Sequence, residues 1–213
     1  MTRRILLFLL LSVSFAVAQP KVEKIGAFSG ETSQKVKSAL QAEGYRVYLP
    51  NTLVGCEIWL AKSVALAKRD DAKDAMYPDF ADSEFLGVIT FPKGSSAADF
   101  RGQPVRAGSY TMRYQLLPDD GNHMGVSPNP DFVLLIPIAS DQDPAAEYAF
   151  GKLVELSASS ARSSHPAAFL MTSAESGEPS VTQTDDGWVV FHGAIESNGK
   201  KVPVSIVVKG SAT

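Results

Sequence analysis

Cysteine is almost missing from this chain. Cys56 is the only one in 213 residues, which excludes an internal disulfide and any Cys-x-x-Cys metal or redox motif. Histidine is nearly as scarce. His123, His165 and His192 are the only three, and no H-E-x-x-H run joins any two of them. There is no G-x-G-x-x-G and no G-x-x-x-x-G-K-[ST], so nothing in the chain is built to cradle a dinucleotide or a nucleotide phosphate. No cofactor is implied. Basic residues do not outnumber acidic ones: 20 Lys and Arg stand against 23 Asp and Glu, for a formal charge of -3. Such a balance gives no attraction for nucleic acid or an anionic membrane surface.

Long apolar runs are also lacking, with one exception at the start. The chain opens "MTRRILLFLLLSVSFAVAQP". Arg3 and Arg4 form a basic head, residues 5–17 are almost unbroken apolar, and Ala16-Val17-Ala18 has the A-x-A form of a cleavage site. This is the layout of a secretory signal peptide over residues 1–18. The run is 13 residues long, whereas a membrane-spanning helix needs about 20. The expected product is an exported chain, periplasmic or extracellular, with no transmembrane segment. It is read as a single β-rich domain over residues 19–213. Loss of Arg3 and Arg4, with no acid lost, takes its formal charge to -5. A domain of this size buries roughly 70% of its unfolded surface.

Most of the remaining pattern has period two. "YRVYLP", "GCEIWLA", "EFLGVITF", "GSYTMRYQLL", "DFVLLIPI", "GWVVFHGAIE" and "KKVPVSIVVK" read as seven strands. "DFVLLIPI" is apolar on both faces, which places it centrally, covered on both sides. Ser197-Asn198-Gly199 marks a hairpin, because both central residues must take positive φ. Pro203 has no N–H and predicts an edge or a bulge for the last strand. Two short helices are expected. One lies in "TSQKVKSALQA" with Thr32 or Ser33 as cap. The other lies in "DPAAEYAFGKLVELSASSA" with Asp143 as cap and Pro144 at the first helical position. Residues 62–82 read as a charged loop. Arg101, Arg106 and Arg113 read as a solvated face. The fold class is mainly β: a single β-sandwich-like domain with two short helices.

The segment "RGQPVRAGSYTMRYQLLPDDGNHMGVSPNPDFVLLIP", together with "CEIWLAK", "YPDFADSEFLGVITFP" and "SSHPA", resembles a family of uncharacterised secreted bacterial proteins. The resemblance runs over most of residues 19–213. It implies an exported, single-domain β protein, and it implies no activity.

The chemistry is concentrated in "LLPDDGNHMGVSPNPDF". Asp119, Asp120, Asn122 and His123 fall within five residues, on a 13-residue connection between two strands (residues 118–130). A connection of that length is often a binding loop, so these four are the candidate binding residues. His123 and Asp120 are also the candidate metal ligands, although a catalytic zinc needs three protein ligands. The competing reading is a loop ordered by its own turn formers, since Asp and Asn side chains accept backbone N–H groups and Gly supplies positive φ. Ser127 beside His123 lacks the second glycine of a nucleophile elbow. No catalytic residue is assigned.

Elsewhere, strand alternation puts Cys56 with Ile58 and Leu60 on a core face, where a thiol is inert. Trp59 and Trp188 could each stack on a sugar or pack against the fold. His165 and His192 read as surface or rim residues. Three functions remain in play. The leading one is a non-catalytic exported module that binds a ligand or an envelope partner such as a glycan or an envelope protein. The second is a metal-dependent hydrolase using His123 with Asp119 or Asp120. The third is a structural protein that pairs through an edge strand.

Overall fold

The computed structural model describes residues 19–50, 54–72, 74–118, 127–161, 163–174 and 176–210. Along the chain lie β1 (Lys21–Ile25), α1 (Gln34–Ala39), β2 (Gly44–Tyr48), β3 (Cys56–Leu60), β4 (Phe85–Phe91), β5 (Gly108–Leu116) and β6 (Asp131–Pro137). They are followed by α2 (Phe150–Ala158), β7 (Ala168–Thr172), β8 (Ser180–Gln183), β9 (Val189–Ser197) and β10 (Lys200–Lys209). The ten strands form one sheet in the order β1 to β7, then β10, β9, β8. Every neighbouring pair is antiparallel. The mainly β class with two short helices is therefore as the pattern predicts. No helix among the described residues is long and apolar enough to cross a membrane.

The sheet curls until its two edges, β1 and β8, lie side by side, which gives a nearly closed barrel. Closure is completed by the stretch after β3. Val64 N–H donates to Glu196 O at 2.9 Å, and Glu196 N–H donates to Lys62 O at 3.2 Å. The sandwich-like layering thus comes from opposite walls of one sheet facing each other across one core. Tyr45 on β2 meets Phe191 on β9 with ring centroids 5.7 Å apart. A Cβ at Gly193 would sit 2.7 Å from Leu60 Cδ1, so a side chain there would have to displace the end of Leu60 from the opposite wall.

Several local expectations hold. Ser33 caps α1, accepting from Val36 N–H at 3.1 Å. Asn198 and Gly199 take φ of 49° and 75° between β9 and β10, as a two-residue hairpin turn requires. On β6, Val133 and Leu135 enter the barrel core, while Leu134 and Ile136 pack under Leu153 of α2. Cys56 is buried at 1% exposure, and burial pushes its thiol pKa up from the ordinary value.

Four expectations are corrected. Three further strands, β1, β7 and β8, join the seven. β1 ("KVEKI") and β8 ("SVTQ") are short and polar because they are the barrel's edges, and β7 ("AFLMT") is short.

Secondly, β10 is interior, between β7 and β9. Its pairing with β7 covers only Ser205 and Ile206, so Pro203 lies on a stretch of β10 that β7 does not reach.

Thirdly, α2 begins at Phe150 with Ala149 as N-cap and no side-chain cap, not near Asp143. The carbonyls of Asp143, Pro144 and Ala146 point instead at the guanidinium of Arg113.

Fourthly, Arg113 is not on a solvated face. It is 1% exposed, while Arg101 and Arg106 are exposed. Arg113 donates from Nε and Nη2 to the two oxygens of buried Asp141, both at 2.8 Å. Nη2 also reaches Asp143 O at 2.8 Å. Nη1 reaches the carbonyls of Ser83, Pro144 and Ala146 at 2.9, 3.1 and 3.0 Å. All five N–H donors of a guanidinium are used.

Candidate functional site

Asp119, Asp120, Asn122 and His123 all lie outside the described residues. The two feet of their loop are described. At the foot, Leu117 N–H donates to Pro130 O at 2.8 Å, one step beyond the β5–β6 ladder. Asn129 accepts from Asp131 N–H at 2.9 Å through Oδ1 and donates from Nδ2 to Met171 O at 3.0 Å. Ser127 Oγ donates to Asn129 O at 2.6 Å, which makes it a turn residue.

Asp131 begins β6 and is fully buried. Its Oδ1 accepts from Tyr114 OH at 2.7 Å and from Tyr77 N–H at 3.0 Å, and its Oδ2 accepts from Met76 N–H at 2.7 Å. This clamp places the Tyr77 hydroxyl between β7 and β10. There it accepts from Ser205 N–H at 2.9 Å and donates to Thr172 O at 2.7 Å. A side chain thus replaces a ladder bond where the two strands part. Burial pushes both phenol pKa values up from the ordinary one, so both remain donors at neutral pH. The network has a partner for each of these polar groups and offers no open position. It is architecture at the root of the loop.

The other sequence candidates are placed as follows. Trp59 is 5% exposed, donates from Nε1 to Gly26 O at 2.9 Å and meets Phe28 edge-on at 5.0 Å. A buried indole is no sugar platform. Trp188 packs edge-on against Phe100 at 5.5 Å. His165 is exposed. His192 Nδ1 lies 2.7 Å from Ser205 Oγ, and its Nε2 lies 2.8 Å from Thr182 Oγ1. Among the described residues no three His, Cys, Asp or Glu side chains come together as a metal site.

An open concavity lies against the first foot of the loop, on the outer surface of the barrel. It is a groove of about 310 Å³. Leu116, Leu117 and Pro118 form the wall where β5 runs into the loop, and Phe132 and Leu134 of β6 form the floor. Phe150 and Val154 of α2 form the facing wall, with Phe100 and Pro166 closing the end. Phe150 is one of two large apolar side chains left exposed among the described residues, at 45%. Four polar residues join this apolar lining: Arg101, Gln115, Ser164 and His165.

Gln115 is the anomaly. It is 5% exposed. Its Nε2 donates to Leu116 O at 3.1 Å, and its Oε1 is buried with no hydrogen-bond partner. A buried acceptor left unpaired costs about 1–3 kcal/mol, and such atoms are rare in folded proteins.

A second, larger cleft of about 810 Å³ lies at the seam between the barrel edges. Its three lysines already have partners. Lys24 pairs with Glu43, Lys201 pairs with Glu178 at 2.9 Å, and Lys62 donates to Ser38 O at 2.7 Å. A cleft beside β4 also holds an unpaired buried atom, Ser95 Oγ, but Ser95 itself is only half-buried. The smaller groove is the better candidate because Gln115, in its apolar lining, is 5% exposed and short of a partner.

Sequence reasoning missed this site. Gln115 sits in an alternating strand and has no local signature. The one available sign was the apolar run Leu116-Leu117-Pro118, which carries an apolar surface straight into a polar loop. No protein-family model matches the chain, and no curated protein or solved structure matches it either.

Proposed function

We propose that this protein is a non-catalytic, exported ligand-binding module whose ligand enters the apolar groove at the root of the 118–130 loop. The observation that carries the reading is Gln115: a nearly buried amide in an apolar groove, with one oxygen lacking a partner. Ligand sites are concave, mostly apolar and furnished with a few polar groups, and they commonly measure about 300–1,000 Å³. The groove has that size and composition. Export rests on the basic head, apolar run and A-x-A order of residues 1–18. The connection that carries Asp119, Asp120, Asn122 and His123 leaves from Pro118, a residue of the groove's wall; those four residues themselves lie outside the described ones.

The test is a fluorescence titration with N-phenyl-1-naphthylamine, a neutral apolar reporter. The expected result is a saturable, one-to-one enhancement that is unchanged by EDTA or added zinc. Phe150→Glu puts a carboxylate on the groove wall at an exposed position, so the fold is retained and the affinity falls by about tenfold or more. Two results overturn the reading. One is the absence of saturable binding. The other is a zinc-dependent hydrolysis of chromogenic esters that His123→Ala abolishes, which would favour the hydrolase.

A further inference from the structure

Resting on that reading, we propose that the groove takes a single-chain anionic amphiphile that carries an N–H or O–H donor: tail on the apolar floor, donor to Gln115, head toward Arg101 and His165.

The donor requirement follows from the orientation of the Gln115 amide. Nε2 is fixed by its bond to Leu116 O, and turning the amide over would bring oxygen against oxygen. The atom left over is therefore Oε1, an acceptor. Only an N–H or O–H satisfies it, and an ester or ether does not. Its desolvation has already occurred on folding, so an incoming donor regains the full hydrogen bond. The occupant parts the apolar side chains around the oxygen to reach it, a scale of movement common on binding.

The charge of the head follows from Arg101. Arg101 donates through Nη2 to Pro166 O at 2.9 Å. The nearest acid, Asp99, lies 3.5 Å from that same nitrogen. The Asp99 carboxylate is itself held by Arg101 N–H, Gln103 N–H and Gln103 Nε2 at 3.0, 2.8 and 2.8 Å. Nε and Nη1 of Arg101 have no partner among the described residues. His165 is exposed beside it, with Nδ1 at 3.4 Å from Ser163 Oγ. No acidic residue lines the groove among the described residues. An anion at this end meets two donor side chains, with one carboxylate, Asp99, behind Arg101 and outside the groove's lining, although the chain as a whole is acidic.

The single tail follows from the space. A volume of about 310 Å³ is at the small end of ligand sites, which favours one acyl chain over two.

Three probes separate these elements, each used below its micelle concentration and followed by calorimetry. N-decanoylglycine has tail, donor and anion. N-decanoylsarcosine has tail and anion, but its amide nitrogen is methylated and has no N–H. N-decanoylglycine methyl ester has tail and donor without the anion. The wild-type protein is expected to bind the first about tenfold more tightly than the second, and about two- to fivefold more tightly than the third. Gln115→Leu should erase the first difference and keep the second. Arg101→Met should do the reverse. Circular dichroism spectra and cooperative thermal melts like those of the wild type verify the fold of both variants. If the wild type binds all three probes alike, or binds the naphthylamine but none of them, the amphiphile assignment is wrong while the groove still binds ligands. If neither the probes nor the naphthylamine bind, the ligand-binding reading itself falls.

Discussion

Arg113 and Gln115 stand two residues apart on the same outer face of β5. Both are nearly buried, at 1% and 5% exposure. Arg113 has an acceptor for every N–H, with its guanidinium also packed against the rings of Phe85 and Tyr148 at 5.4 and 5.2 Å. Gln115 has one bond, to its neighbour's carbonyl, and one oxygen with none. One strand face thus passes from a complete polar network to an incomplete one within a single repeat of the pleat. What differs is the cover. Residues 141–148 wrap Arg113 with backbone carbonyls and the Asp141 carboxylate. Over Gln115 lies an apolar groove with no acceptor or donor aimed back. A buried polar side chain with all partners present explains the fold. One with a partner missing indicates a place where something else belongs.

The largest expected effect comes from breaking the complete side. Arg113→Met leaves Asp141 buried with only the hydroxyls of Thr111 and Tyr148, at 2.6 and 3.0 Å, and removes the anchor of residues 141–148. A buried ion pair that loses one partner costs about 3–5 kcal/mol, a large share of a typical domain's stability. Urea denaturation should show that loss. The double variant Arg113→Met with Asp141→Leu should recover much of it, because the uncompensated charge is gone. Equal destabilisation of single and double variants would mean that the carbonyl contacts of Arg113, not its pairing, carry the effect.

The same comparison explains which features were legible in the sequence. Elements set by neighbours in the chain were readable. The Ser33 cap, the Asn198-Gly199 turn, the two apolar faces of β6 and the inward set of Cys56 each depend on a few consecutive residues. Arg113 was misread because alternation reports which face a side chain takes, not what covers that face. Its cover arrives from about thirty residues downstream. The start of α2 was misplaced for the same reason: Asp143-Pro144 is a good helix opening, but a buried guanidinium has the stronger claim on those carbonyls. The groove depends on β5, β6, α2 and two loops at once, so no window of the sequence contains it. The loop with His123 drew attention because its polar residues are contiguous, while Gln115 has none beside it.

A smaller effect is expected from creating an orphan where none exists. Cys56 lies on β3 with Ile58 and Leu60 in the barrel core, and its neighbours there are apolar. Cys56→Ser keeps the volume nearly constant and adds a hydroxyl that needs partners. The expected loss is about 1–3 kcal/mol in the same urea experiment. Cys56→Ala, with no hydroxyl to satisfy, should lose less. Slow labelling of native Cys56 by a thiol reagent at neutral pH checks the burial. An unchanged stability for Cys56→Ser would show that a core hydroxyl finds a partner readily, and would weaken the weight placed on Gln115 Oε1.

The smallest effect, and the one of opposite sign, is expected at Gln115 itself. Gln115→Leu removes the unpaired oxygen, whose burial costs about 1–3 kcal/mol, and also removes the bond to Leu116 O, which contributes about 0.5–1.5 kcal/mol. The difference runs from about 0.5 kcal/mol less stable to about 2.5 kcal/mol more stable, centred on a gain of about 1 kcal/mol. A side chain retained for packing would behave otherwise, since a nearly buried strand residue normally loses stability on substitution. Thermal melts of wild type and Gln115→Leu, without ligand, decide between these outcomes, and a melting temperature equal to or above that of the wild type is expected. A fall corresponding to more than about 2 kcal/mol would mean that Oε1 is satisfied in solution by an ordered water making several bonds. Gln115 would then be as complete as Arg113, and the groove would lose the asymmetry that marks it as a binding site.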